Sequence, residues 1–221
     1  MRLVILALLT VCCCTACFEP EAVSSRLADE DMYVDDPDEV RVIWQKPGAV
    51  IEAMGDIREK VIADIGAGEG FFTKRLVPYA DRVIAVDVRP EAIAYLDTLK
   101  MFELPKNLQP RLEARLGKYD DPLLEPSEVD IILIVNTFML IDNKVAYLKK
   151  LYPTLRSDGR IVIVDLKKKQ TQTGAEKEDR LALGTLEDML KTAGFHVVSS
   201  DDTTLEYQYI VVADKRTAAP F

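Results

Sequence analysis

Val61-Ile62-Ala63-Asp64-Ile65-Gly66-Ala67-Gly68-Glu69-Gly70-Phe71-Phe72-Thr73 decides how this chain folds. An apolar, β-type run reaches Asp64, glycines follow at alternate positions, and a helix-compatible segment begins at once. The pattern predicts a strand, a turn almost without side chains and a helix, so that a ligand can lie against bare backbone N–H groups. A second apolar run over 83–86 ends in Asp87, about twenty positions beyond Gly66, the spacing at which nucleotide-binding folds place an acid. On the end of the next strand, such an acid can accept hydrogen bonds from both ribose hydroxyls of a nucleotide-like ligand. The plain alternative is a tight glycine turn that holds nothing.

The dinucleotide fingerprint is G-x-G-x-x-G, with phosphates resting on a helix N-terminus. Here the spacing is G-x-G-x-G, preceded by Asp64. A carboxylate that close to the loop repels a pyrophosphate and suits an ammonium or sulfonium group, which disfavours an NAD(P)-dependent reductase. The string Asp64-Ile-Gly-Ala-Gly-Glu-Gly-Phe-Phe-Thr73, with Val83-Ile-Ala-Val-Asp87 after it, resembles the class I S-adenosylmethionine (AdoMet)-dependent methyltransferases. Further pieces of that likeness are Trp44-Gln45-Lys46-Pro47, Lys118-Tyr-Asp-Asp-Pro122, Asn136-Thr-Phe138 and Tyr207-Gln-Tyr209. Together they are similar to a group of exported or uncharacterised bacterial methyltransferases over roughly residues 41–215.

With 221 residues, nearly half of them apolar, the chain can bury one domain of ordinary size. Its 28 Lys and Arg face 37 Asp and Glu, so there is no basic excess to displace counterions from a phosphate backbone, and nucleic acid is not expected as a partner. All four cysteines, Cys12, Cys13, Cys14 and Cys17, lie before the domain. Met1-Arg2, an apolar stretch over 3–11, then Thr15-Ala16-Cys17 read as a signal peptide too short to span a bilayer. Thr-Ala-Cys resembles the end of a bacterial lipobox, with Cys14 departing from its usual Leu. That resemblance implies lipidation of Cys17 and export to the periplasmic side of a membrane. An uncleaved anchor, or a mis-assigned start that leaves the protein cytoplasmic, are the alternatives. Under the export reading the mature chain has no free thiol, hence no disulfide and no cysteine catalysis. The expected organisation is a signal peptide over 1–16, an acidic tether over 17–40, a domain over 41–215 and a tail over 216–221.

Along the domain, Pro47 opens a helix with Val50, Ile51 and Met54 on its apolar face. Strands are expected at 61–65, 82–87, 108–116, 129–135 and 160–165. Helices are expected at 71–79, from Pro90, along Val145, Leu148, Leu151 and Tyr152, and at 185–193, where Gly194 stops the last. Ser157-Asp158-Gly159 reads as a turn, and 195–199 with 207–213 as a terminal strand pair. The fold class is therefore α/β: a doubly wound, mostly parallel seven-stranded sheet with a C-terminal antiparallel hairpin. The polar stretch over 167–180 reads as a solvated loop or a lid.

For the site, the resemblance implies AdoMet held by Asp64, Gly66, Ala67, Gly68, Gly70, Asp87, Val88 and Asn136, with Asp64 near the ammonium and Asp87 on the ribose. Asp120, with Asp121 as a near-equal competitor, is implied against the adenine amine. Asn136, Phe138 and Arg180 are the candidates around the reaction, Arg180 for an anionic group of the substrate. Related sequences often carry Asp at the first position of the fourth-strand turn and Tyr-His at the third and fourth; Asn136, Phe138 and Met139 stand here. No general base remains there, which still permits in-line methyl displacement onto a nucleophilic acceptor. His196, the only histidine, reads as structural, and one His without a thiol makes no metal site. The expected substrate is a small molecule, the only membrane contact a lipid anchor, and no protein partner is predicted. A binding protein that kept the fold and lost turnover is the second reading.

Overall fold

The computed structural model describes residues 37–169 and 177–215. Helices α1 (Pro37–Gln45) and α2 (Pro47–Ala53) precede β1 (Val61–Ile65), and α1 begins ahead of the expected domain boundary. Then follow α3 (Thr73–Leu76), β2 (Arg82–Asp87), α4 (Pro90–Phe102), β3 (Leu112–Leu116), β4 (Val129–Val135), α5 (Lys144–Thr154) and β5 (Leu155–Leu166). The remainder is α6 (Leu183–Thr192), β6 (His196–Asp201) and β7 (Gln208–Asp214).

The strands form one sheet of order β3-β2-β1-β4-β5-β7-β6. All neighbouring pairs from β3 across to β5 are parallel, whereas β7 runs antiparallel to both β5 and β6. This is the expected doubly wound sheet, with the antiparallel strand inserted beside the fifth. The near-continuous apolar runs of β1 and β4 are explained by cover on both faces. On one face Tyr147, Leu148 and Leu151 of α5 and Leu186 and Leu190 of α6 pack against Ala63, Ile132, Ile134 and Ile163. On the other, Val50 of α2, Leu76 of α3 and Leu96 and Leu99 of α4 pack against Ile62, Leu133 and Val164.

Three elements depart from the sequence reading. The first crossover helix is a single turn, Thr73–Leu76, because Phe71 and Phe72 both turn into the core, edge to face at 5.2 Å. The third strand starts at Leu112, since Pro110 lies in a 3-10 turn over Gln109–Arg111 and has no N–H for a ladder. Ser157-Asp158-Gly159 is a bulge within β5, not a turn before it: the pairing jumps from Val129–Leu155 to Ile131–Arg160.

From β1 the chain winds outward through β2 and β3, then returns to β4 on the other side of β1. At such a reversal the connections leave in opposite directions and open a crevice at the carboxyl ends of the strands. The floor of the crevice is set by one contact. Gly66 has φ +77°, and a Cβ there would lie 2.1 Å from Thr137 Oγ1. Gly68, at φ +57°, has only the end of Arg89 near its Cα, 3.7 Å from where a Cβ would be. Gly66→Ala is therefore expected to cost about 3 kcal/mol or more, left-handed strain plus overpacking. Gly68→Ala is expected to cost about 1–2 kcal/mol, the strain alone. Urea unfolding of the two variants measures this, and equal losses would contradict the assignment.

Candidate functional site

The glycine loop is tied to the end of β2. Gly66 and Ala67 donate their N–H groups to Val86 O at 2.8 and 3.0 Å, and Gly70 donates to Ala67 O at 2.9 Å. Gly68 donates to Asp87 Oδ2 at 2.9 Å. The expectation of bare N–H groups facing a ligand is thus corrected for these four, which are engaged within the protein. Gly70 serves packing, since a Cβ there would meet Leu96 and Leu99 at 3.0 Å. At Gly68 the Cα face stays open.

Asp87 is almost fully buried and gathers several donors. Besides Gly68, its Oδ1 accepts from the Arg89 backbone N–H at 3.0 Å and from Arg89 Nε at 3.1 Å. Burial opposes ionisation, but the Arg89 side chain and the N–H groups of Arg89 and Gly68 outweigh it and hold the carboxyl below the usual carboxylate range. Asp87 is therefore an anion at neutral pH with an exposed, displaceable guanidinium against it.

Asp64 lies on the opposite face of β1 from Ala63 and Ile65, and is not in the cavity wall described below. Its Oδ2 accepts from the Thr73 hydroxyl at 2.7 Å. Burial raises its pKa to about 6, against the pull of that hydrogen bond and of the Arg41 charge. Arg41 of α1 stacks at 4.0 Å on the Phe71 ring, which Arg75 also approaches at 3.8 Å. The loop is thereby clamped to α1 on this face.

A cavity of about 630 Å³ opens on the other face, at the carboxyl ends of β1 to β4. Its wall includes Gly66, Asp87, Val88, Asp120, Thr137 and Tyr147. Of the two competing acids, Asp120 lines the cavity, and Lys150 Nζ donates to it at 3.0 Å. Asp121 instead accepts from the Leu123 N–H at 2.8 Å and closes the turn. Beyond β4, Phe138 is fully buried in the core, so it does not face a reacting group; the largely exposed Leu140 stands in the cavity wall instead. Asn136 takes a left-handed φ of 54°. Its Oδ1 accepts from Gln208 Nε2 at 2.7 Å, Gln208 Oε1 accepts from Gln45 Nε2 at 3.3 Å, and Gln45 Oε1 accepts from Arg41 Nε at 2.5 Å.

Arg180 is not where an anionic substrate group could reach it. It is 4% exposed and donates to the carbonyls of Lys167 and Lys169, at 3.4 and 2.7 Å. Lys167 is likewise engaged, donating to Leu205 O at 2.7 Å. His196 lies 3.6 Å from Asp214 on the outer strand, away from the cavity. Cys17, the signal peptide, most of the tether and the tail lie outside the described residues.

The sequence reading missed Asp165. It is the penultimate residue of β5, is fully buried, and accepts from the Met139 N–H through Oδ2 at 2.9 Å. Its Oδ1 is the one enclosed side-chain polar atom without a partner among the described residues. Burial, only partly offset by the Met139 N–H and the Lys144 charge, pushes its pKa up to about 7. A fully apolar run ending in a carboxyl, Ile161-Val-Ile-Val-Asp165, was the available signal.

Comparison with known proteins agrees with this architecture. The methyltransferase-domain family matches residues 63–161, from β1 to the bulge of β5. No curated protein matches the chain in sequence. Among solved structures, an AdoMet-dependent methyltransferase of Aquifex aeolicus is similar with a TM-score of 0.72 at 23% identity, covering 81% of this chain and 93% of its own. A Haloferax volcanii methyltransferase, solved in complex with the Trm112 activator, gives 0.67 at 13% identity, with 83% and 95% covered. The cyclase SpnF gives 0.65 at 12% identity, with 79% and 82% covered. The fold is that of the class I methyltransferases, as expected, and the expected cofactor, AdoMet, agrees with the domain matched.

Asp165 makes stability depend on pH with a definite sign. Its folded value near 7 exceeds the unfolded value of 3.8, so the folded state holds a proton that the unfolded chain has released. The stabilisation is fully present below the unfolded value and is lost as pH rises through the folded one. Asp165→Asn cannot ionise. Melting temperatures of the variant relative to the unsubstituted protein should rise from about pH 5 to about pH 7 and then level off. A difference independent of pH would show that Asp165 does not titrate in this range.

Proposed function

We propose that this chain is an AdoMet-dependent methyltransferase acting on a small-molecule acceptor by direct methyl displacement. The observation that carries the reading is the cavity at the switch point, with Gly66, Asp87 and Asp120 in its wall. The residues fit the cofactor. Asp87 offers an ionised carboxylate to a ribose diol once Arg89 gives way, and Asp120 offers an acceptor to an exocyclic amine. When bound, AdoMet supplies an electrophilic methyl on a sulfonium. Acidity at Asp87 and Asp120 suits that positive charge, in a chain of net charge −9. The buried amides behind Asn136 hold the end of β4, while Leu140 and Ile141 give the acceptor an apolar wall. Rate then comes from proximity and alignment, with no base required of an acceptor that is already nucleophilic.

A second reading, a binding protein without turnover, is favoured by one observation: the turn after β4 presents no base, since Asn136 is an amide tied to Gln208 and Phe138 is a hydrocarbon ring in the core. Binding of S-adenosylhomocysteine, measured calorimetrically, tests both readings. The intact domain should bind it, and Asp87→Ala should weaken binding by about tenfold or more, the loss of charge-assisted hydrogen bonds. No binding in either form would remove AdoMet from the account. Binding without methyl transfer to any of a broad acceptor panel would support the second reading.

We also propose that Cys17 is lipidated and tethers the domain to the periplasmic side of a bacterial membrane. Among the described residues no helix is long and apolar enough to cross a membrane. Cys17→Ser should abolish lipid attachment, read by mass spectrometry of the membrane fraction. A variant that remains membrane-bound and still lipidated would overturn the assignment, and a wild-type protein found in the cytoplasm would favour the mis-assigned start.

A further inference from the structure

Three tyrosines belong to or pack against the core between the sheet and α5–α6: Tyr147, Tyr152 and Tyr209. Tyr209 donates its hydroxyl to Leu181 O at 3.2 Å, and Tyr152 donates to Lys215 O at 3.3 Å. Tyr147 is 4% exposed, yet its hydroxyl has no hydrogen-bond partner among the described residues. Nor is that oxygen sealed in the core like Asp165 Oδ1, because Tyr147 forms part of the cavity wall. Phenylalanine would fill the same space in the core. Open to the cavity, the oxygen can be hydrated, and a ligand that enters must replace that hydrogen bond with one of its own.

The chemistry of the cavity limits what that partner is. Burial first, and then the nearby Asp121 and Asp120 carboxylates, raise the Tyr147 pKa well above its ordinary value. The group is therefore a neutral phenol at working pH, a donor to an acceptor atom. Asp120, in the same wall, is an acceptor, its carboxyl held below the ordinary range by Lys150. A flat heteroaromatic ring with acceptor nitrogens and an exocyclic amine matches a donor and an acceptor so placed. Resting on the AdoMet reading above, we infer that the Tyr147 hydroxyl donates to a ring nitrogen of the adenine, while Asp120 accepts from its amine. Tyr147 is thus a specificity residue for the base, a role that Asp120 alone cannot fill because any amine would satisfy it.

The test is calorimetric titration of S-adenosylhomocysteine and of its deaza analogues, each lacking one ring nitrogen, into the unsubstituted protein and Tyr147→Phe. The variant keeps the buried ring, and its unliganded melting temperature checks the fold. Tyr147→Phe should weaken S-adenosylhomocysteine binding about three- to tenfold, the worth of one neutral hydrogen bond. One deaza analogue should bind both proteins equally, because it has already lost the same bond. Equal affinity of the two proteins for S-adenosylhomocysteine, or an undiminished difference with every analogue, would overturn the assignment of Tyr147 and leave the cofactor reading standing. If S-adenosylhomocysteine does not bind the unsubstituted protein, the cofactor reading itself fails, and this assignment with it.

Discussion

The approach of Gly66 to Thr137 is the constraint on which the site depends. Two loops leave adjacent parallel strands, β1 and β4, and must pass within contact distance before turning to opposite faces. A side chain at Gly66 would occupy the place of the threonine hydroxyl, so the loops can close only over a bare Cα. With that contact made, the glycine loop reaches the end of β2, where Val86 and Asp87 fasten it. The cavity wall then follows from where the strands stop. The loop is rigid through its own bonds before any ligand arrives, which reduces what ordering would otherwise cost on binding.

A second set of bonds connects parts of the chain that are far apart in sequence. Gln45 of α1, Gln208 of β7 and Asn136 after β4 form a buried line of amides, ending at Arg41 over Phe71. Both glutamines are fully buried, and such groups fix a unique arrangement because any other leaves a donor or acceptor unpaired. The line joins the cover helix, the inserted strand and the switch point in one network. It also accounts for three short motifs, around Gln45, Asn136 and Gln208, that the sequence displays without evident reason for their coexistence.

Most of the fold was legible because apolar runs of strand length, separated by helical stripes, leave little freedom in an α/β sheet. Asp87 was legible for the same reason, since its place is fixed by the strand it ends. The glycines were harder: spacing revealed a tight loop, but Gly66 is required by Thr137 and Gly70 by α4, and only Gly68 opens outward. Phe138 and Leu140 show the limit well. Both are large and apolar, and which one turns to the cavity is set by a 3-10 turn capped by Asp165, a contact made across strands. Arg180 belongs to a charged stretch, yet the carbonyls of Lys167 and Lys169 claim it. Residue type indicates which groups can do chemistry, and long-range packing decides which are at liberty to.

The place of β7 has a consequence in time. Strand β6 precedes β7 along the chain but lies outside it in the sheet. During synthesis, therefore, β6 emerges when it has no neighbour to join, and the flank of β5 stands open with it. The flank is apolar from Ile161 to Val164, the kind of exposed strand edge that captures other chains. Only the arrival of β7 fills the gap, and it does so by pairing with both at once. Until β7 pairs, the sheet can be complete from β3 to β5 while the apolar border of β5 stays uncovered.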